Sequence, residues 1–170
     1  GNTGVDLTAT LAAAGTADTL TVTLESNTAT GAIVIANSHD VLNIVSSKAA
    51  TDAATVVNEL ETNTSATSAA TLNISGDTTL VVQSAALKAA AAVDATNMSA
   101  ALTSTFSTAL KDYKGGSGVN TLNLAAGNLT TGNTFAAGSA TTDVLNATAT
   151  ASQNMGLISV SGFETLNLTG

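Results

Sequence analysis

Cysteine, proline, tryptophan and arginine are all missing from this 170-residue chain, and aromatic residues make up 2% of it. Without cysteine, stability cannot rest on disulfides; with His39 as the sole histidine as well, the Cys and His ligands of an ordinary zinc site are lacking. Without large rings, an ordinary aromatic-centred core cannot be built. Long apolar runs are lacking too: no stretch approaches the ~18 residues that a spanning helix needs, and Ala85–Val93 is short and broken by Lys88. Basic residues are few, 4 against 12 acidic, for a net charge of −8. Phosphate backbones would be repelled, so nucleic acid is excluded as a partner, whereas divalent cations would be attracted. The opening Gly1-Asn2-Thr3-Gly4 has neither the basic nor the apolar region of a signal peptide, and the chain opens mid-pattern and closes on a repeat unit, as a fragment of a longer protein would.

What the chain does have is Ala and Thr, 64 residues together, with Asn and Ser adding another 31. Disorder goes with low hydrophobicity, whereas here 44% of residues are apolar and mean hydropathy is positive. A chain of this length builds one domain with a real core. Small and β-branched side chains fill such a core only where backbones approach closely and repeat, which calls for many thin β layers.

A short phrase recurs. It stands at Asp18-Thr19-Leu20-Thr21-Val22, Asp40-Val41-Leu42-Asn43-Ile44, Ala70-Thr71-Leu72-Asn73-Ile74, Asn120-Thr121-Leu122-Asn123-Leu124, Asp143-Val144-Leu145-Asn146-Ala147 and Glu164-Thr165-Leu166-Asn167-Leu168. In each, Leu and the residue two later alternate with polar neighbours, the period of a strand with one buried face. The central leucines are 22, 30, 50, 23 and 21 residues apart. A step near 22 is one coil of a solenoid, 50 covers two coils, and 30 is a coil with an insertion. The leucines are therefore expected to stack in one column, with the asparagines pointing outward or forming a ladder.

Gly-, Asn-, Ser- and Asp-rich connectors such as Ser75-Gly76-Asp77, Ala126-Gly127-Asn128 and Ser161-Gly162 mark the coil corners. Two stretches break the pattern. In Lys48–Thr62, Val56, Val57 and Leu60 are spaced like a helical face behind Asp52 as N-cap, which predicts one short inserted helix. Ser84–Ala92 is Ala-rich, and its strand-like surroundings make it a loop or a single turn. The fold class expected is all-β: a parallel β-helix, or β-solenoid, with irregular coils of about 22 residues, spanning residues 1–170 as a single domain.

Gly115-Gly116-Ser117-Gly118-Val119-Asn120-Thr121-Leu122-Asn123 fits the nonapeptide G-G-x-G-x-D-x-U-x, in which carbonyls and a carboxylate surround calcium between coils. Asn120 replaces the Asp, which removes a charge and weakens the site. Weaker echoes lead into Asp18 and Asp143, so the candidate calcium ligands are Gly116, Gly118, Asn120, Asp18 and Asp143. For Asp18, Asp40, Asp143 and Glu164 the competing reading is that each caps a turn or solvates a strand start.

Catalytic readings find little to stand on. His39 lies in Asn37-Ser38-His39-Asp40, which reads as a turn before a strand, and no Gly-x-Ser-x-Gly phrase occurs. Glu59 and Glu61 are two apart and would not share a helix face. A carbohydrate-active β-helix would need a cleft with Arg, Lys, Asp or aromatic platforms and would show a groove of clustered acidic side chains; the chain has no Arg or Trp, and Tyr113 is the single tyrosine. The Asn-x-Ser/Thr triplets at Asn63, Asn73, Asn97, Asn128, Asn146 and Asn167 are what chance gives in so Asn- and Thr-rich a chain.

Taken together, Ser161-Gly162-Phe163-Glu164-Thr165-Leu166-Asn167-Leu168-Thr169, Ser75-Gly76-Asp77-Thr78-Thr79-Leu80, Val93–Leu102 and the glycine nonapeptide resemble RTX-type surface-layer (S-layer) proteins of Gram-negative bacteria. The resemblance implies type I secretion, calcium-dependent folding, self-assembly with other copies into a lattice on the cell surface, and anchorage to lipopolysaccharide through another domain. It makes this piece the solenoid region of a structural, non-enzymatic protein. The single nonapeptide and its Asn argue against heavy calcium loading. The alternative is a stalk segment of a large secreted repeat adhesin or biofilm protein, whose target-binding domain lies elsewhere.

Overall fold

The computed structural model describes residues 7–9, 18–26, 33–35, 40–53, 55–60, 71–82, 91–106, 110–150 and 157–170. These form a parallel β-solenoid of about five turns with about 22 residues per turn, and among the described residues there is no helix. Seven strands, β2 (Thr19–Glu25), β4 (Val41–Ser47), β6 (Thr71–Gly76), β8 (Ala92–Met98), β10 (Asp112–Lys114), β12 (Thr134–Ala136) and β14 (Ser159–Ser161), make one sheet. Six others, β5 (Val57–Leu60), β7 (Thr79–Val82), β9 (Leu102–Phe106), β11 (Asn120–Leu124), β13 (Val144–Thr148) and β15 (Thr165–Thr169), make the second. A separate pair joins β1 (Leu7–Ala9) to β3 (Ile33–Ile35). Every pairing is parallel, and the chain alternates between the two large sheets from β4 to β15.

The recurring leucines do not form the one column expected. Leu20, Leu42 and Leu72 stack on the seven-stranded sheet, where Val93, Tyr113, Phe135 and Val160 continue their column. Leu122, Leu145 and Leu166 stack on the six-stranded sheet, above Leu60, Val82 and Ser104. The 50-residue gap between Leu72 and Leu122 therefore includes a change of sheet. The reason is local symmetry: both sheets turn alternate residues into the same core, so one phrase serves either.

The predicted helix in Lys48–Thr62 is also replaced. Val57–Leu60 is β5, with Asn58 and Leu60 buried and Val57 turned outward, so the period is two and not 3.6. Pairing with β7 and burial of Leu60 outweigh a weak helical propensity. Asp52 caps no helix; its carboxylate accepts from the Ala49 amide at 3.2 Å and from the Ser26 hydroxyl, closing a loop. The Asn58 amide points inward and donates to Leu24 O (3.0 Å), Ser47 O (2.8 Å) and Ser46 Oγ (2.8 Å), tying the two sheets together. Residues 84–90 of the Ala-rich stretch, with His39, Glu61 and Asn63, lie outside the described residues.

The inward side chains of both sheets meet in one core, whose largest members are Tyr113, Phe106 and Phe135 among many Leu, Ile and Val. Outside, asparagines form two ladders. Asn73 donates to Asn43 (2.9 Å) and Asn43 to Thr21 (3.2 Å) on one sheet. Asn167 donates to Asn146 (2.8 Å), Asn146 to Asn123 (2.8 Å) and Asn123 to Thr105 (3.2 Å) on the other. Each amide thus finds its partner in the adjacent coil, which rewards correct register.

Leu145 and Leu166 occupy neighbouring places in one column, yet Leu145 is 0% exposed and Leu166 52%. Leu145→Ala is expected to cost about 2–5 kcal/mol in urea unfolding, and Leu166→Ala well under half of whatever Leu145→Ala costs. Equal losses would contradict this packing.

Candidate functional site

The glycine nonapeptide forms the corner between β10 and β11. Backbone contact between coils explains its glycines: a Cβ on Gly116 would lie 1.9 Å from Met98 O, and one on Gly138 1.5 Å from Gly116 O. Three successive coils touch there through main chain alone, and no larger residue fits. Gly138 follows Gly115 by 23 residues, one coil.

Asn120 opens β11 with its side chain turned into the corner, and it is 1% exposed. Its amide nitrogen donates to Gly118 O (2.7 Å), Gly116 O (3.2 Å) and Asp143 Oδ1 (3.2 Å). Its oxygen accepts from Gly116 N and from the Tyr113 hydroxyl, both at 3.3 Å. Burial pushes the Tyr113 phenol well above its ordinary range, so it stays protonated and able to donate. Tyr113 was not among the residues singled out for this corner, since nothing in its spacing announces a hydroxyl aimed at Asn120.

Asp143 is the equivalent residue one coil later, and it is 0% exposed. Its Oδ1 also accepts the backbone N–H of Asn120 at 2.6 Å, while Oδ2 is buried without a hydrogen-bond partner. The arrangement repeats upward: Asp143 N donates to Glu164 Oε2 (2.7 Å), and Asp143 O accepts from Glu164 N (3.0 Å) and Thr165 N (3.1 Å). It recurs on the other sheet, where Asp18 N donates to Asp40 Oδ2 (2.8 Å) and Asp18 O accepts from Asp40 N and Val41 N. An acidic side chain before a strand therefore clasps the coil beneath it, satisfying an amide that the ladder leaves over.

The structure brings Gly116, Gly118, Asn120 and Asp143 together and leaves Asp18 apart, at the start of β2 on the other sheet. Among the described residues, no three His, Cys, Asp or Glu gather as metal ligands. No helix among them is long and apolar enough to cross a membrane. Asp94 sits at an irregularity where β8 carries one residue more than β6, and its carboxylate accepts from Thr96 N (3.0 Å) and Thr96 Oγ1 (2.6 Å). Those bonds hold its pKa below the usual Asp value.

No protein-family model, curated protein or solved structure matches the chain.

Replacing Asp143 by Ala strands the buried Asn120 N–H and is expected to cost about 1–3 kcal/mol in urea unfolding, with Asp143→Asn, which keeps an acceptor, costing less. Asp94 contributes stability that is present above its unfolded pKa and lost as pH falls through its depressed folded value. Its carboxyl resonance is therefore expected to titrate below the ordinary Asp value and to move up toward it in Thr96→Ala; an unmoved midpoint would exclude the Thr96 bonds as the cause.

Proposed function

We propose that this chain is a structural segment of a bacterial surface layer. In this reading it is secreted, carries no catalytic site, and assembles with other copies of the protein into a lattice at the cell surface. The observation that carries the proposal is the stack of parallel rungs, in which aliphatic columns such as Leu122–Leu145 run inside and the Asn123–Asn146–Asn167 ladder runs outside. A stack built by repeating one coil suits a long, stiff, repeat-built body. The outward Asn and Thr ladders present a uniform, weakly charged surface suited to side-by-side contact. With 12 acidic against 4 basic residues the chain attracts divalent cations, and calcium stabilisation of the parent protein is part of the proposal.

The stalk of a secreted repeat adhesin would use the same rod, and microscopy separates the two. Gold-labelled antibody against this chain, applied to intact cells of the source organism, is expected to decorate a continuous two-dimensional array. Label confined to filaments with terminal lobes would establish the stalk, and label restricted to the cell interior would overturn both.

A further inference from the structure

We infer that the Asn120 side-chain amide takes the place of a cation at the Gly115–Asn120 corner, so that this coil junction closes without metal. Calcium sites of this kind gather backbone carbonyls and carboxylate oxygens around the ion, 6–8 oxygens in all as a rule. Here Gly116 O, Gly118 O and Asp143 Oδ1 do converge, but on a nitrogen: all three accept from Asn120 Nδ2, at 3.2, 2.7 and 3.2 Å. The amide is held in that orientation from behind, because Gly116 N and the Tyr113 hydroxyl both donate to its oxygen. Turning it over to offer oxygen to an ion would break all five bonds and set its NH2 against two donors. The corner as built therefore does not fit calcium.

Direction of charge supports the same conclusion. The amide hydrogens supply partial positive charge where the ion would supply a full one, and a single buried carboxylate, Asp143, is what they neutralise in part. The unpartnered Asp143 Oδ2 is the ligand atom left over by that exchange. An Asp at position 120 would remove the nitrogen, leave two facing carboxylates beside two carbonyls, and make the junction depend on a cation. One amide in place of one carboxylate thus decides whether this junction is metal-dependent. The inference stands apart from the surface-layer proposal, since a lattice protein and a stalk would use the same corner.

Tyr113 makes the test local, because the chain has one tyrosine and no tryptophan and that phenol touches Asn120. Terbium(III), a calcium surrogate, emits when excited through a neighbouring tyrosine. The wild-type chain is expected to give no tyrosine-sensitised terbium emission. Asn120→Asp is expected to emit, to lose the signal on addition of millimolar calcium, and to gain about 5–10 °C in Tm at calcium roughly a hundredfold above its dissociation constant. Emission from the wild type that calcium displaces and Asp143→Asn abolishes would overturn the inference. So would an Asn120→Asp chain that is folded by circular dichroism yet stays dark. If that variant does not fold even with calcium, the wild-type arm alone decides: a dark wild type upholds the inference and a calcium-competed signal refutes it.

Discussion

The structure depends on one constraint, that each coil hydrogen-bonds through its backbone to the coils beside it, about 4.8 Å away, along both large sheets. At that spacing, whatever one residue does in a coil must be compatible with the residue in the same place above and below. Inward positions are met by aliphatic columns such as Leu122–Leu145 and by the occasional ring, Tyr113 over Phe135. Outward positions are met by side chains that bond to their own kind, which is why asparagine and threonine recur there. Where the main chain itself must touch, at Gly116 and Gly138, nothing larger than hydrogen is tolerated.

The same constraint shapes the corners. A strand start leaves an amide unpaired, and in a stacked array the nearest acceptor is the side chain one coil on. Asp40, Asp143 and Glu164 fill that role; the amides of Asp40 and Glu164 donate in return to the carbonyls of Asp18 and Asp143 in the coil below, whereas the Asp143 amide donates to the Glu164 carboxylate. For Asp40 and Glu164 the exchange is reciprocal, much as a helix capping box is, except that its two halves are 22 and 21 residues apart. The corner of Asn120 elaborates this clasp by adding an amide that binds two carbonyls of its own turn.

Much of this architecture was legible in the linear text. Period-two alternation around Leu42, Leu72 and Leu145 identifies strands, a step near 22 residues identifies the coil, and the asparagine after the leucine in five of the six phrases marks the ladders. Assignment of strands to sheets was not legible, because Leu72 and Leu122 stand in the same Thr-Leu-Asn context while facing the core from different sides. The helical spacing of Val56, Val57 and Leu60 misled for a related reason: in so short a segment either period fits, and only the pairing of β5 with β7 selects one. At the corner, the nonapeptide pattern put Gly116, Gly118 and Asn120 in one turn and a weaker echo led into Asp143, which the structure brings beside Asn120. It did not distinguish oxygens assembled for an ion from oxygens already bonded to an amide, nor did it bring in Tyr113.

By itself the sequence determined that this chain builds thin, stacked β layers, since small and β-branched residues with almost no rings have no other dense packing, and since its repeat length equals one coil. Tertiary structure alone decided which strands share a sheet, which carboxylates clasp which amides, and which way the Asn120 amide faces. The first two outcomes depend on atoms roughly a coil apart in the chain and a few ångströms apart in space, and the third on Tyr113 and Asp143 as well as on the turn itself; local pattern carries no information about how such groups converge.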